Sequence, residues 1–94
     1  MLKALSLVVL ATLATSGVHA QTPAYPTKPI RLIVPFAPGG AADQTARLIS
    51  DPMSKELGQP IIVENKPGGG ATVGAALVVN AAPDGYTVLY TTPG

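Results

Sequence analysis

The sequence predicts an α/β fold in which a parallel sheet is flanked by helices. Short apolar, β-rich runs alternate along the chain with segments that carry apolar residues at helical spacing, and this alternation is typical of parallel strands joined by helical crossovers. Two glycine-rich turns, 35–43 and 67–72, each follow a predicted strand and precede a predicted helix. Because ligands bind such sheets beyond the carboxyl ends of the strands, both turns are expected at the ligand-binding edge.

The first twenty residues have the pattern of a secretory signal. Lys3 supplies a positive charge, and residues 4–14 form an apolar run that is too short to span a bilayer. Val18-His19-Ala20 fits the small-residue rule that precedes a cleavage site. We therefore expect export to the periplasm, cleavage after Ala20 and a mature domain over residues 21–94, with an amphipathic or buried N-terminal helix as the alternative.

The composition argues against several classes of function. The mature chain carries five basic and five acidic side chains, so it offers no basic surface for nucleic acid or for a membrane. The full sequence has no cysteine, and its one histidine, His19, lies in the predicted signal, so the mature chain has neither residue. Most metal sites and most nucleophile–base pairs need one of these residues. We therefore predict no metal, no cofactor and no catalytic residue.

The first strand, turn and helix are predicted between residues 30 and 58. Residues 30–36 form a near-continuous apolar run, which is typical of a strand buried on both faces. The segment 40–57 repeats apolar residues at helical steps, and Gly58 provides a stop signal. Pro52 indicates either a kink in this helix or the start of a second short helix. The apolar positions expected on one helical face are Ala42, Ala46, Ile49, Met53 and Leu57.

The second half of the chain repeats the pattern. A second strand over 60–64 leads to the turn at 67–72, where Thr72 can cap a helix that runs to about Ala82. A Pro-Asp-Gly turn stops that helix, and residues 86–91 form a third strand.

A mature chain of about 74 residues buries only a thin core, and a parallel sheet needs helices on both faces. We therefore expect a fragment of a longer protein.

The first glycine turn is a candidate anion site. A strand that breaks into such a turn before a helix leaves N–H groups without helical partners, and the helix dipole adds positive potential. An ordinary strand-to-helix turn is the alternative. Asp43 either contacts a cationic part of a ligand or, more simply, complements the dipole and pairs with Arg47. The amides expected to face a carboxylate or phosphate are those of Gly39, Gly40, Ala41 and Ala42.

The second turn is a further candidate anion cradle, and a nucleotide site there is disfavoured. Val73 stands where a dinucleotide fingerprint needs its third glycine, and no acidic residue ends the following strand. Glu64 ends a strand near the expected cleft without an identifiable acid or base partner. The chain also lacks the Gly-x-Ser-x-Gly elbow of serine hydrolases. A truncated enzyme domain of the Rossmann type is therefore the less favoured alternative.

The motifs, taken together, resemble those of one family. Residues 25–40 read Tyr-Pro-Thr-Lys-Pro-Ile-Arg-Leu-Ile-Val-Pro-Phe-Ala-Pro-Gly-Gly. The later motifs are Asp43, Ala46-Arg47, Leu57-Gly58-Gln59-Pro60, Val63-Glu64-Asn65-Lys66-Pro67-Gly68, Gly74 and Pro83-Asp84-Gly85-Tyr86-Thr87. With the secretory signal, they resemble the Bug family of extracytoplasmic solute receptors, the TctC-like substrate-binding proteins of tripartite tricarboxylate transporters. The resemblance covers nearly the whole chain.

This resemblance implies a two-lobed periplasmic binding protein of the type II, flytrap kind, and this chain matches the first part of its first lobe. The implied ligand is a small organic carboxylate, and the implied partners are the membrane subunits of the transporter. We expect a monomeric receptor that performs no chemistry, with a truncated, inactive fragment as the alternative. The candidate ligand-binding residues are Phe36, Ala37, Pro38, Gly39, Gly40, Ala41, Asp43, Gly70, Ala71 and Thr72.

Overall fold

The computed structural model describes residues 24–93, so the predicted signal peptide lies outside the described residues. Strands and helices alternate in the predicted order within this range. The elements are β1 (Ile30–Val34), α1 (Ala41–Leu57), β2 (Ile61–Asn65), α2 (Thr72–Val79) and β3 (Thr87–Leu89), with a 3₁₀ turn over Gly69–Ala71 directly before α2.

The three strands form a parallel sheet in the order β2-β1-β3, which confirms the predicted architecture. Since parallel crossovers are right-handed, and β2 and β3 lie on opposite sides of β1, the two helices cover opposite faces of the sheet. The central strand is accordingly buried on both faces, and Ile33 and Val34 are each 0% exposed. The near-continuous apolar run of β1 reflects this double burial.

The main apolar core lies where α1 packs on the sheet. Leu32 and Val34 of β1 contact Ala46 of α1 in a buried cluster. Side chains from the neighbouring strands and the flanking segments surround this cluster and are only partly buried. They are Phe36, Ala42, Ile61, Val63, Val88 and Tyr90. The core is thin, as expected for a chain of this length.

Several predicted boundaries shift by a few residues. The first strand ends at Val34 instead of residue 36, because Pro35 has no N–H with which to continue the ladder. Helix α2 ends at Val79, three residues before the predicted end, where the Asn80 side-chain amide donates to the carbonyl of Ala76 at 2.8 Å. Strand β2 begins and ends one residue later than predicted, and β3 is shorter than the predicted strand over 86–91.

Helix α1 runs without a break through Pro52, so the interpretation of that proline as the start of a second helix is wrong. The predicted stop is confirmed, because Gly58 adopts the left-handed conformation with a φ of 72° and its N–H donates to the carbonyl of Ser54.

Within residues 24–93, no helix is both long and apolar enough to cross a bilayer.

The face that α1 turns toward the sheet differs from the predicted apolar face. Ala46 is fully buried, but Ile49, Met53 and Leu57 are 36%, 44% and 37% exposed. Two polar residues of α1, Asp43 and Ser50, are buried in their place. The five apolar positions share one helical face, as predicted, but the sheet covers that face only partly over the second half of the helix.

Hydrogen bonds at Ser54 explain why the buried face of α1 differs from the face that carries its apolar side chains. Its hydroxyl group donates to the carbonyl of Gln59 at 2.8 Å and accepts from the N–H of Ile61 at 3.0 Å, which draws a polar side of α1 toward the start of β2. The apolar side is left at the surface, where it forms an open hollow. The hollow is lined by Pro52, Met53, Glu56 and Leu57.

The segment before β1 is attached to the turn before β3. The Tyr25 hydroxyl donates to the carbonyl of Gly85 at 2.6 Å, and the N–H of Thr27 donates to the Tyr86 hydroxyl at 2.8 Å. The rings of Tyr25 and Tyr86 lie 5.0 Å apart between centroids. These contacts fix the entry of the chain into the sheet at the edge opposite the glycine turns.

Helix α2 approaches the end of β1 closely at Gly74. A Cβ atom at this buried position would lie 2.7 Å from Cβ of Pro35 and 3.0 Å from the carbonyl oxygen of Lys66. Both distances are too short for a methyl group without movement of the backbone, so glycine is required here. This contact brings the start of α2 against the turn that follows β1.

We predict that Gly74→Ala destabilises the fold by about 1–3 kcal/mol, because the added methyl group overpacks a contact with backbone atoms. The measurement is urea unfolding of the purified chain. Gly40→Ala is the matched control, since its Cβ would lie at an ordinary 3.6 Å from the carbonyl of Ala37. Equal unfolding free energies for the two variants would contradict this account of Gly74.

Candidate functional site

The topology places a crevice at the carboxyl ends of β1 and β2. The chain leaves β1 toward α1 on one face of the sheet, and it leaves β2 toward α2 on the other face. Open α/β sheets bind ligands beyond the carboxyl ends of their strands, so the space between these two diverging connections is a candidate ligand site. We call residues 35–40 the first loop, residues 66–71 the second loop, and the space between them the crevice.

The two loops meet at this edge, as predicted. The N–H of Lys66 donates to the carbonyl of Val34 at 2.8 Å, which continues the pairing of the strands beyond β2. The side-chain amide of Asn65 donates to the carbonyl of Phe36 at 3.2 Å. The start of the second loop and the start of the first loop are therefore joined by both backbone and side-chain hydrogen bonds.

The carboxylate of Asp43 joins the first loop, α1 and β2. Its Oδ2 accepts from the N–H of Gly39 at 2.9 Å. Its Oδ1 accepts from Nδ2 of Asn65 at 2.9 Å and from Nε of Arg47 at 3.0 Å. The predicted pairing of Asp43 with Arg47 is confirmed. The residue is only 4% exposed, and its two oxygens are occupied by groups of this chain.

These contacts lower the pKa of Asp43 below its ordinary value. The N–H of Gly39 contributes most, followed by the side-chain amide of Asn65, and both outweigh the opposing effect of burial. The carboxylate is therefore ionised at neutral pH. Its negative charge is balanced by Arg47, whose guanidinium also donates from Nη2 to Oδ1 of Asn65 at 3.1 Å.

The amides of the first loop divide into two groups. The Gly39 N–H is engaged by Asp43, which differs from the expectation that it faces a ligand. The N–H groups of the next three residues, 40–42, make no hydrogen bond of good geometry in the described part of the chain, although that of Gly40 faces the carbonyl of Ala37 across the turn at residues 38–39. They lie at the start of α1, where the helix dipole is positive. These three amides are the donors that the loop can offer to an anion.

Glycine is needed in the first loop for backbone conformation. Gly39 has a φ of 86°, and a Cβ atom there would meet no described atom within 4 Å. The position therefore borders open space, and only its φ disfavours other residues. Gly70 in the second loop combines the same features, with a φ of 62° and open space at Cβ. In both loops, the backbone at these glycines is therefore not covered by a side chain.

The second loop has a strained non-glycine residue. Ala71 has a φ of 78°, a conformation that costs an L-residue about 1–2 kcal/mol. Three glycines with positive φ precede it, at positions 68, 69 and 70. Such strain persists where the surrounding structure imposes it, and it is concentrated at functional sites.

The prediction that Thr72 caps α2 is wrong. Ala71 occupies the N-cap position, and Thr72 is the first helical residue. The Thr72 hydroxyl donates to the carbonyl of Gly69 at 2.7 Å, inside the 3₁₀ turn. The left-handed conformation of Ala71 moves the start of the helix past the position from which Thr72 could serve as a cap. Thr72 stabilises the loop instead.

Glu64 has a partner that the sequence did not indicate. Nε and Nη2 of Arg31 donate to its two carboxylate oxygens at 2.6 and 2.9 Å, and this side-chain hydrogen bonding lowers the pKa of Glu64. Glu64 therefore forms a lateral ion pair between β1 and β2.

Among residues 24–93, no cluster of His, Cys, Asp and Glu is arranged to hold a metal ion.

Sequence reasoning missed two polar residues at the crevice, Asn65 and Gln44. Asn65 ends a parallel strand beside the first loop, and a polar amide at the carboxyl end of such a strand is a usable signal of a site there. Gln44 gives no such signal, because an exposed glutamine in the first turn of a helix is ordinary. Its side-chain amide donates to the carbonyl of Gly39 at 3.0 Å, and only the folded loop reveals that contact.

The fold and the paired loops are those of a periplasmic binding protein lobe, and family comparison agrees. The family model for the tripartite tricarboxylate transporter family receptor matches residues 45–93. The chain therefore belongs to this receptor family. A UPF0065 protein of Bordetella pertussis is 52% identical over 77 residues, which cover 82% of this chain and 23% of that protein.

Solved structures show the same fold. The periplasmic binding protein BugD superposes with a TM-score of 0.67 at 46% identity, covering 69% of this chain and 22% of BugD. MatC of Rhodopseudomonas palustris, solved with bound malate, gives 0.67 at 49% identity with coverages of 69% and 22%. A second R. palustris protein, solved with adipate, gives 0.67 at 37% identity with the same coverages. The chain spans about a quarter of the length of the relatives it matches.

We predict that Asp43→Asn flattens the dependence of stability on pH. A lowered pKa in the folded state stabilises the fold above the ordinary carboxyl pKa of about 4, and this stability is lost as the pH falls through the folded value. The unfolding free energy of the wild-type chain should therefore decrease from pH 6 to pH 3 in urea titrations.

Glu64→Gln is the comparison for this experiment, because Glu64 contributes a loss of the same sign from the Arg31 pair. Asp43→Asn should leave the contribution of Glu64 in place and remove its own. A pH profile for Asp43→Asn that runs parallel to that of the wild type would contradict the assigned role of Asp43.

Proposed function

We propose that this chain supplies one side of the ligand site of a periplasmic receptor that captures a small organic carboxylate for a tripartite tricarboxylate transporter. Family membership supports the receptor class and the transport partner. The malate and adipate bound to two structural neighbours support the chemical class of the ligand. The receptor is proposed to act as a monomer after cleavage behind Ala20, and to perform no chemical step.

The observation that carries the proposal is the group of N–H donors that follows β1 at the carboxyl edge of the sheet. The amides of residues 40–42 lie at the start of a 17-residue helix and beside the crevice. Convergent backbone donors at a helix N-terminus stabilise a carboxylate through hydrogen bonds and through the dipole. Gly39 and Gly70 leave the crevice open to a ligand at the edges of the two loops.

Electrostatics set the position of the ligand in this proposal. The Asp43 carboxylate lies beneath the first loop and would repel a second anion, but Arg47 and two amide donors offset its charge. A ligand carboxylate is therefore placed against the outward N–H groups of the loop, away from Asp43. Asp43 then supports the loop and does not contact the ligand. The proposed contacts are Phe36, Ala37, Pro38, Gly39, Gly40, Ala41, Gly70, Ala71 and Thr72, partly through ordered water.

The proposal is tested by titration of the ¹⁵N-labelled chain with malate and with adipate, followed by NMR. Saturable shifts should appear at the amides of residues 36, 37, 39–42 and 69–72; Pro38 has no N–H. The matched control ligand is malate diamide, which has the same shape without the carboxylate charge. Absence of any response to both acids, or shifts confined to the hollow at Met53, would contradict the proposal.

We predict that Gly39→Val weakens malate binding by about tenfold, since a β-branched residue at positive φ costs at least about 1 kcal/mol and distorts the loop. Gly58→Val is the control, because Gly58 also combines a positive φ with open space at Cβ but lies at the opposite edge of the sheet. Both variants should lose stability, and only Gly39→Val should lose affinity. Equal losses of affinity would overturn the assignment of the first loop.

A further inference from the structure

We infer that Gln44 and Asn65 are positioning residues that aim two backbone donors of the first loop at the ligand. The inference rests on the proposed function, and it concerns how the loop acquires its preference for anions. Each side chain holds one carbonyl oxygen of the loop. Nε2 of Gln44 donates to the carbonyl of Gly39 at 3.0 Å, and Nδ2 of Asn65 donates to that of Phe36 at 3.2 Å.

The planarity of the peptide bond converts these contacts into orientation. In a trans peptide, the carbonyl of one residue and the N–H of the next point in opposite directions within one rigid plane. Fixing the oxygen of Gly39 therefore fixes the N–H of Gly40. Fixing the oxygen of Phe36 fixes the N–H of Ala37 in the same way. Within residues 24–93 neither N–H makes a hydrogen bond of good geometry, and the Gly40 N–H has only the carbonyl of Ala37 near it, across the turn at residues 38–39.

The same contacts remove acceptors from the crevice. A carbonyl oxygen that faced the ligand would repel a carboxylate, whereas an oxygen held by a side-chain amide is turned away and neutralised. The carbonyl of Gly40 is likewise occupied, by the N–H of Gln44 at 3.0 Å. Three carbonyls of the first loop, those of Phe36, Gly39 and Gly40, are therefore held by donors of this chain and are not free to face a ligand.

The hydrogen bonds of the Asn65 side chain indicate that it affects ligand binding only through the first loop. Its amide nitrogen has two hydrogens, and these are used by Phe36 and by Asp43. Its oxygen accepts from Arg47. No donor remains for a ligand, so its effect on binding must pass through the loop. Gln44 is exposed, and its replacement should leave the packing of α1 unchanged.

The test uses Gln44→Met and Asn65→Asp in the 94-residue chain, with malate as the NMR probe. Methionine keeps the length of glutamine and removes the donor without a change of charge. Aspartate keeps the shape of asparagine and removes both donors. The matched controls are Gln59→Met, at the opposite edge of the sheet, and Asn80→Asp, which also loses a hydrogen bond from a side-chain amide to a carbonyl, that of Ala76.

The expected result is specific to individual amides. Gln44→Met should raise the Kd for malate about threefold to tenfold, the range supported by one hydrogen bond, and should reduce the malate-induced shift of the Gly40 amide most. Asn65→Asp should raise the Kd by more than tenfold and reduce the shift of the Ala37 amide most. The two controls should stay within twofold of the wild type. A purely structural role would reduce all shifts together.

The outcomes separate this inference from the proposed function. A wild-type chain that responds to neither malate nor adipate contradicts the proposed function, and the inference falls with it; a chain that responds only to adipate is tested with adipate as the probe. A wild-type chain that binds, with unchanged Kd and an unchanged Gly40 shift in Gln44→Met, contradicts the inference alone. If Asn65→Asp fails to fold, as its melting curve will show, Gln44→Met decides the result, because Gln44 is exposed.

Discussion

A buried carboxylate, that of Asp43, is the constraint on which the arrangement of the site depends. An ionised group that leaves water must find hydrogen-bond donors, or its burial costs more than the fold can supply. Asp43 takes its donors from three places: the first loop at Gly39, its own helix at Arg47, and the end of β2 at Asn65. The loop, α1 and the sheet are thus held in one geometry, and the neighbouring amides at residues 40–42 are left for a ligand.

The second loop is fixed by shape instead of charge. Gly74 lets α2 approach Pro35 at distances that no side chain would permit, and the strained φ of Ala71 sets the direction in which the helix begins. One loop is therefore positioned by hydrogen bonds and the other by close packing. Receptors that close around a ligand need the contacting surface to be formed in advance, because a preorganised loop loses little conformational entropy on binding. In the proposed receptor, both devices would serve that requirement.

Much of the fold and part of the site could be predicted from the amino-acid sequence. The apolar run of β1, the stop at Gly58 and the two glycine turns predicted the elements, their order and the edge at which the turns meet. The shared apolar face of α1 was predicted correctly, but the spacing of Ile49, Met53 and Leu57 cannot reveal that this face stays partly exposed while Ser54 bonds to the start of β2. Thr72 has the chemistry of a cap, yet the backbone of Ala71 decides where the helix starts.

The alternation of strands and helices, the parallel sheet and the glycines at sharp turns can all be predicted from the amino-acid sequence, because these features depend on local periodicity and on the allowed φ of each residue. The tertiary structure alone decided which amides remain available and which carbonyls are held. Those properties depend on residues far apart in the chain, such as Phe36 and Asn65, whose contact exists only once β1 and β2 are paired. Hydrogen bonds across such separations leave no periodic signal.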